Sequence, residues 1–365
     1  MIIYIDRTIG NLFEQRKPTN EEAALFCKVA QVQKDGKCII CGDIKSIDIL
    51  IKILPPPYNQ IYRIISGRHI ESRALFDMVD TVIVLTGDID APAIPAYIEE
   101  KSIAITIDEA EDMDLSSGCH LVCENIDDCN FFEDLARCYM NRKSLHSINL
   151  YSSKENGGGN TTASVFEKCI NQKAMTLCIA DSDMKYGKST DYPNDPARGD
   201  TLKNVQKVEK RLSDENCRIP FCVLPLCVHE VENLIPLTIL EKMEEDLPCI
   251  RSGRILLEKL KEVDEGCPIL YYDFKKGFSD FEEGPKLSYW REVFQKAKDT
   301  GIQLVDDVPK PWPAISSNNL LGRASKLIEK ADFRDVLVDS HLSNHWDTIG
   351  KKVITWCCAY PKVRL

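Results

Sequence analysis

His120-Leu121-Val122-Cys123-Glu124-Asn125-Ile126-Asp127-Asp128 and Met175-Thr176-Leu177-Cys178-Ile179-Ala180-Asp181-Ser182-Asp183 follow one plan: an apolar run of strand length that ends in acids. Runs this short and continuous read as strands buried on both faces, the pattern of a parallel sheet. Open α/β sheets place their chemistry just beyond the carboxyl ends of such strands. A third run, Pro220 to Val228, ends in His229-Glu230-Val231-Glu232-Asn233. Between the runs the apolar spacing turns helical. Phe131, Phe132, Leu135, Ala136 and Tyr139 mark a helix from about Asp128 to Met140, and another ends near Asn171. A strand is expected at Ser147–Tyr151, a polar loop from Lys185 to Asp200, and a charged helix over Thr201–Asp214. Strands and helices thus alternate, with an acidic cluster after three of four strands.

Upstream, a first strand at Met1–Asp6 is followed by apolar runs at Lys37–Asp43, Ile61–Gly67, Thr81–Asp88 and Ile103–Ile107, with a helical pattern over Asn20–Gln33. This alternation predicts a parallel, Rossmann-like sheet. The acidic stretch Asp108–Asp114, closed by Ser116-Ser117-Gly118, reads as a solvated linker. Downstream, helical patterns dominate at Leu237–Glu245, Ser252–Val263, Leu287–Lys298 and Leu320–Lys330. Leu270–Phe274 reads as a short extended piece and Val353–Trp356 as strand-like. The expected fold class is α/β: an N-terminal Rossmann-like α/β domain over residues 1–117, a central parallel sheet flanked by helices over 118–240, and a mainly helical C-terminal region over 241–365.

Composition narrows the class. The chain is 44% hydrophobic and 28% charged, which suits a globular core and argues against disorder. No apolar stretch approaches the roughly 18 residues of a membrane span. The start lacks the basic and apolar regions of a signal peptide. Sixteen cysteines fall mostly inside apolar runs, as reduced buried thiols do, so a reducing cytoplasm is expected. Cys38 and Cys41 form a lone CxxC within such a run and read as core. The formal net charge of -11 excludes nonspecific coating of nucleic acid. It does not exclude a nuclease, because carboxylates gathered for a cation add negative charge.

Glu124 and Asp128 are four apart, so a helix starting near Asn125 turns both toward the end of the sheet. Asp181 and Asp183 are two apart, and in a strand extension both point to one face. Hard oxygen donors gathered at one point suit Mg²⁺ or Mn²⁺, while zinc prefers Cys and His. Such a site activates water and stabilises charge at a phosphodiester, and Glu232 after the next strand is placed to complete a second metal position. Capping at a helix start and ordinary surface turns account for each acidic piece alone. Their conjunction in one domain-sized window favours a shared site. Gly157-Gly158-Gly159, between a strand and a helix, reads as a phosphate cradle or a flexible turn. Lys185 and Lys188 after the acids, with Arg198, are candidate phosphate contacts. Lys352 is a further candidate, balanced against a surface role. His341 and His345 read as surface or core histidines.

The order Glu124-x-x-x-Asp128, then Asp181-x-Asp183, between alternating strands and helices, resembles the Toprim domain of topoisomerases, bacterial-type primases, small RNA-maturing nucleases and the OLD (overcoming lysogenization defect) nucleases. His229-Glu230-Val231-Glu232-Asn233-Leu234 resembles the third acidic motif of the OLD-like members. Asn125 departs from the glycine that many members carry after the glutamate. The resemblance spans about residues 119 to 240. It implies Glu124 as metal ligand or general acid/base, Asp128, Asp181 and Asp183 as metal ligands, and Glu232 as a further ligand. A C-terminal lysine such as Lys352 near the metals is likewise what OLD-type sites imply.

Within that group, a topoisomerase needs a tyrosine-bearing DNA-wrapping domain, and primases usually carry a paired-cysteine zinc module that this chain lacks. No Walker A is present either. The chain therefore resembles stand-alone Toprim effectors of two-gene bacterial anti-phage systems. That implies a metal-dependent endonuclease on DNA or RNA, held by a separate ABC-type ATPase and possible as a homodimer. The alternatives are a non-catalytic regulatory or scaffold protein with a Toprim shell, and a primase-like nucleotidyltransferase.

Overall fold

Two four-stranded parallel sheets with the same strand order organise the chain. The computed structural model describes residues 1–186, 199–263, 267–277, 285–304, 315, 319–333 and 336–364. In the first sheet, β1 (Ile2–Ile5), β2 (Ile39–Gly42), β3 (Val82–Thr86) and β4 (Ser102–Thr106) run in the order β2-β1-β3-β4. β1, β2 and β3 are buried throughout, which is why their sequence is continuously apolar rather than alternating. The helices are α1 (Arg7–Gln15), α2 (Asn20–Lys34), α3 (Ile44–Ile53), α4 (Tyr58–Gly67), α5 (His69–Leu75) and α6 (Ile107–Asp112).

Two expectations fail here. Ile61–Gly67 is the body of α4, not a strand: its buried residues Ile61, Tyr62 and Ile65 share one helical face. Asp108–Asp114 is mostly the helix α6, not a linker. Thr106 and Glu109 close a capping box at its start, and Ile107 and Ala110 bury its inner face.

The second sheet contains β5 (Cys119–Cys123), β7 (Ser152–Asn156), β8 (Thr176–Ala180) and β9 (Phe221–Pro225), in the order β7-β5-β8-β9. A two-residue β6 (Asn149–Leu150) precedes β7, and the helices are α7 (Ile126–Arg142), α8 (Thr162–Asn171) and α9 (Asp200–Asp214). The chain runs from β5 outward to β7, then back across to β8. The strand order therefore reverses between β5 and β8, as it does between β1 and β3 in the first sheet. The strand expected at Ser147–Tyr151 survives only as β6. The parallel edge strand is instead the polar Ser152-Ser153-Lys154-Glu155-Asn156, whose half-exposed side chains carry no apolar signal.

Beyond the second sheet lie α10 (Leu237–Glu244), α11 (Arg251–Val263), α12 (Pro285–Asp299), α13 (Leu320–Lys330) and α14 (Ser340–Cys357), followed by β10 (Cys358–Ala359). β10 pairs antiparallel with β6. Leu270–Phe274 is not extended as expected; a short 3₁₀ turn covers Cys267–Tyr271. Val353–Trp356 is helical, the final turns of α14, where Val353, Ile354 and Trp356 are all buried. Burial on several sides removes the polar interruptions that would have marked the helical period. α14 packs along α7, with Trp346 edge-to-face against Phe131 at 6.3 Å and its indole N–H donating to Leu234 O at 2.9 Å. The segment after it meets α5 and the start of the chain: Tyr360 hydroxyl bonds Ser72 Oγ at 3.0 Å, and the Met1 amine donates to Cys358 O at 2.6 Å. No helix among the described residues is long and apolar enough to cross a membrane.

Candidate metal centre

Glu124 follows β5 directly and Asp181 follows β8, so the two carboxylates flank the point where the strand order reverses. Asn125 then caps α7. Its Oδ1 accepts from Asp128 N at 3.0 Å, and Asp128 Oδ2 accepts from Asn125 N at 3.0 Å. The capping role of Asp128 is thus real, yet it occupies one oxygen only. Oδ1 is buried and, among the described residues, has no partner.

After β8 the chain bends. Ser182 is buried and donates to Val228 O at 2.7 Å, and Asp183 adopts a left-handed φ of 50°. The pair Asp181 and Asp183 therefore does not continue the strand, and strand alternation does not set their directions. Where the chain returns, Gly199 N donates to Ser182 O at 2.9 Å. A Cβ on Gly199 would stand 1.7 Å from Asp183 Oδ2, so only glycine lets this carboxylate keep its place. Glu232 enters from a 3₁₀ turn, Val231–Leu234, after β9. Its Oε2 is likewise buried and without a partner among the described residues.

These acids act on one another. Burial, then the charges of Glu124, Asp128 and Glu232, push Asp181 well above the ordinary carboxylate range. Burial is also the main cause at Asp128, raised to about 7 with help from Glu232 and Glu124. Glu124 is raised by burial and by Asp183. Yet the acids are not gathered tightly. Among the described residues, only His229–Glu230–Asp273 and His120–Glu155–Cys169 bring three ligand atoms within 4.8 Å of one another. No three of Glu124, Asp128, Asp181, Asp183 and Glu232 do so.

A lysine that the sequence did not flag stands in this field. Lys275 Nζ lies 2.8 Å from Glu230 Oε2 and 3.5 Å from Glu232 Oε1. Its side chain is exposed, and Glu230 and Glu232 hold the ammonium above its usual range. His229, Glu230 and Asp273 fasten the segment that carries it. His229 Nε2 approaches Asp273 Oδ2 at 3.6 Å, Glu230 Oε1 accepts from Phe274 N at 2.9 Å, and Asn233 Nδ2 donates to Ile269 O and Tyr272 O. The signal for Lys275 was absent from the sequence because this segment lies some forty residues past the acidic motif and carries no motif of its own.

The other sequence candidates fall elsewhere. Gly157 N donates to Cys123 O and Gly158 N to Glu124 O, both at 2.7 Å. Two of the three glycine N–H groups are therefore spent on the backbone, and the run is a tight return with Gly158 and Gly159 at positive φ rather than an open phosphate cradle. A Cβ on Gly159 would lie 4.0 Å from Glu124 Oε2, so the turn borders the site. Lys185 is exposed just after the acids, while Lys188 and Arg198 lie outside the described residues. Lys352 pairs with Asp80 at 2.7 Å, which ties α14 to the first sheet's half of the chain rather than to the acids. His341 and His345 are half-buried on α14, and Cys38 and Cys41 are buried at β2.

The first sheet provides an internal comparison. Asp6, at the same position after β1 that Glu124 holds after β5, is fully buried. Its Oδ1 accepts from Thr8 N at 2.9 Å, and its Oδ2 accepts from Thr86 Oγ1 and Ala93 N, each at 2.8 Å. That acid is a satisfied structural cap. The second sheet instead leaves Asp128 Oδ1 and Glu232 Oε2 buried without partners among the described residues, a costly arrangement that a hard cation would relieve. The all-oxygen donor set fits Mg²⁺ or Mn²⁺ in kind. Neither a protein-family model, nor a curated protein, nor a solved structure matches this chain.

Proposed function

We propose that the second sheet carries a Toprim-type centre and that the protein is a Mg²⁺- or Mn²⁺-dependent phosphodiesterase acting on DNA or RNA. One observation carries the reading: acids from the ends of three adjacent strands share one electrostatic field, with two buried oxygens lacking partners among the described residues. The acidic capping positions of the first sheet, with the same strand order, show no such deficit. Glu124, Asp128, Asp181, Asp183 and Glu232 would hold the cation. When bound, it would supply charge neutralisation at the phosphodiester and activation of water. Asp128 keeps one oxygen on its helix cap and offers the other inward. Glu124, beside the glycine return, is the group assigned to proton transfer. Lys275, beside Glu230 and Glu232, would meet phosphate charge as it develops. By resemblance, the wider role is that of an effector in bacterial anti-phage defence working with a separate ATPase.

The spacing of the acids favours a second reading, a regulatory protein that keeps the shell without the chemistry. The test separates them. Purified full-length protein is incubated with supercoiled plasmid and structured RNA in Mg²⁺ or Mn²⁺. Cleavage that disappears in Asp181→Asn/Asp183→Asn supports the enzyme. Cleavage that persists in that variant refutes the site. Absence of cleavage, both alone and with a candidate ATPase, together with no Mn²⁺ binding, favours the regulatory reading.

A further inference from the structure

A second group of ligand-type side chains lies on the same sheet, away from the strand ends. His120 is the second residue of β5, and it pairs in register with Ser153 of β7. Glu155 is two residues further along β7, so both side chains stand on one face of the sheet. α8 packs on β5, β7 and β8 and contributes Cys169, which is buried. A ring nitrogen of His120, a carboxylate oxygen of Glu155 and the Cys169 sulfur all lie within 4.8 Å of one another.

An ordinary hydrogen bond explains only part of this. His120 Nδ1 faces Glu155 Oε1 at 2.9 Å. The other ring nitrogen, Nε2, is buried and has no partner among the described residues. The imidazole thus keeps one buried nitrogen without a partner among the described residues, and His120, Glu155 and Cys169 together offer the mixed donors of a transition-metal site. We propose that His120, Glu155 and Cys169 bind one zinc-class divalent ion, separate from the carboxylate centre.

Nitrogen, sulfur and oxygen donors together suit zinc and are poor for Mg²⁺, so the two sites sort metals by ligand type. Three protein ligands leave a fourth position for water. Glu155 is 34% exposed, which opens that position to solvent at the sheet edge. Coordination requires the Cys169 thiolate, so binding would release a proton and strengthen as pH rises. The ion would join the edge strand, the central strand and α8. Glu155 stands two residues before Gly157, whose N–H is bonded to Cys123 O, and Gly158 is bonded to Glu124 O. The clamp would therefore brace the return that borders Glu124. It does not depend on the phosphodiesterase reading.

The reduced full-length chain, stripped with chelator and held in excess Mg²⁺, is titrated with Zn²⁺ against a chromophoric competitor, and with Co²⁺ for spectroscopy. One equivalent should bind, with affinity reduced at least about tenfold in Cys169→Ser and in His120→Gln. Co²⁺ should give a thiolate charge-transfer band that Cys169→Ser abolishes and that Asp181→Asn/Asp183→Asn retains. If Cys169→Ser does not fold by circular dichroism, His120→Gln decides alone. Any of three results overturns the proposal: no equivalent bound, binding unchanged in both single variants, or a band removed by Cys227→Ser or Cys249→Ser, two exposed cysteines.

Discussion

Replacing Asp128 by Asn should stabilise the metal-free protein while removing the proposed cleavage. Asp128 is 3% exposed, and its pKa rises from 3.8 to about 7 through burial and the charges of Glu232 and Glu124. That difference is about 3 units, or at most about 4 kcal/mol at about 1.4 kcal/mol per unit. Part of the cost is shared with Glu124, Asp181 and Glu232 and would return as those groups relax, so a gain of about 1–3 kcal/mol is expected. Asn keeps an oxygen to accept from Asn125 N, so the α7 cap survives. Because the folded pKa lies above the unfolded one, the native chain holds the extra proton between them. Stability falls as pH rises through that window, and the full cost is present above about pH 7. Urea unfolding of full-length protein in chelator should show the variant more stable at about pH 8, with the gap shrinking toward about pH 5. Excess Mg²⁺ should narrow the gap by stabilising the wild type alone. A variant less stable than wild type at pH 8 in chelator would refute the idea that these acids are held together against their own repulsion.

Gly199→Ala should keep the fold yet weaken Mn²⁺ binding by about tenfold or more, because the new Cβ takes the place of the Asp183 carboxylate; calorimetric titration reads this directly. Lys275→Gln should lower cleavage by about a hundredfold, while Lys352→Gln, whose lysine pairs with Asp80, should leave it within about twofold and cost at most about 1 kcal/mol. His341→Leu should raise stability by about 1 kcal/mol near neutrality, since both ring nitrogens are buried without partners among the described residues. Burial lowers the His341 pKa below its usual 6.5, so the native chain binds fewer protons than the unfolded one as pH falls below that value. Wild-type stability should fall there, and the variant should blunt the fall in thermal unfolding between about pH 7 and 5.

The strands that could be read were the apolar runs, half-buried β4 and β9 among them. β1, β3, β5 and β8 are continuous apolar runs because helices cover them on both sides, so solvent never imposes an alternation. β7 escaped notice for the opposite reason. It is an edge strand of Ser, Lys, Glu and Asn, and only its ladder to β5 makes it a strand. α4 and the end of α14 were misread because a short apolar run looks the same in either geometry, and the packing partner decides. The Gly157–Gly159 run was visible as a turn, but the spending of its N–H groups on Cys123 and Glu124 was not.

The sequence by itself determined that acids follow three strands of a parallel sheet, because the apolar runs fix the strands and the residues beyond them must emerge at one edge. It also determined that their chemistry would be that of oxygen donors. Tertiary structure decided the rest. It made Asp6 a satisfied cap and left Asp128 half satisfied, though both are acids at the start of a helix. It brought Lys275 to Glu230 and Glu232, sent Lys352 to Asp80, and set His120, Glu155 and Cys169 side by side from two strands and a helix. Those outcomes depend on which partners the fold supplies to each polar atom, and chain neighbours do not specify them.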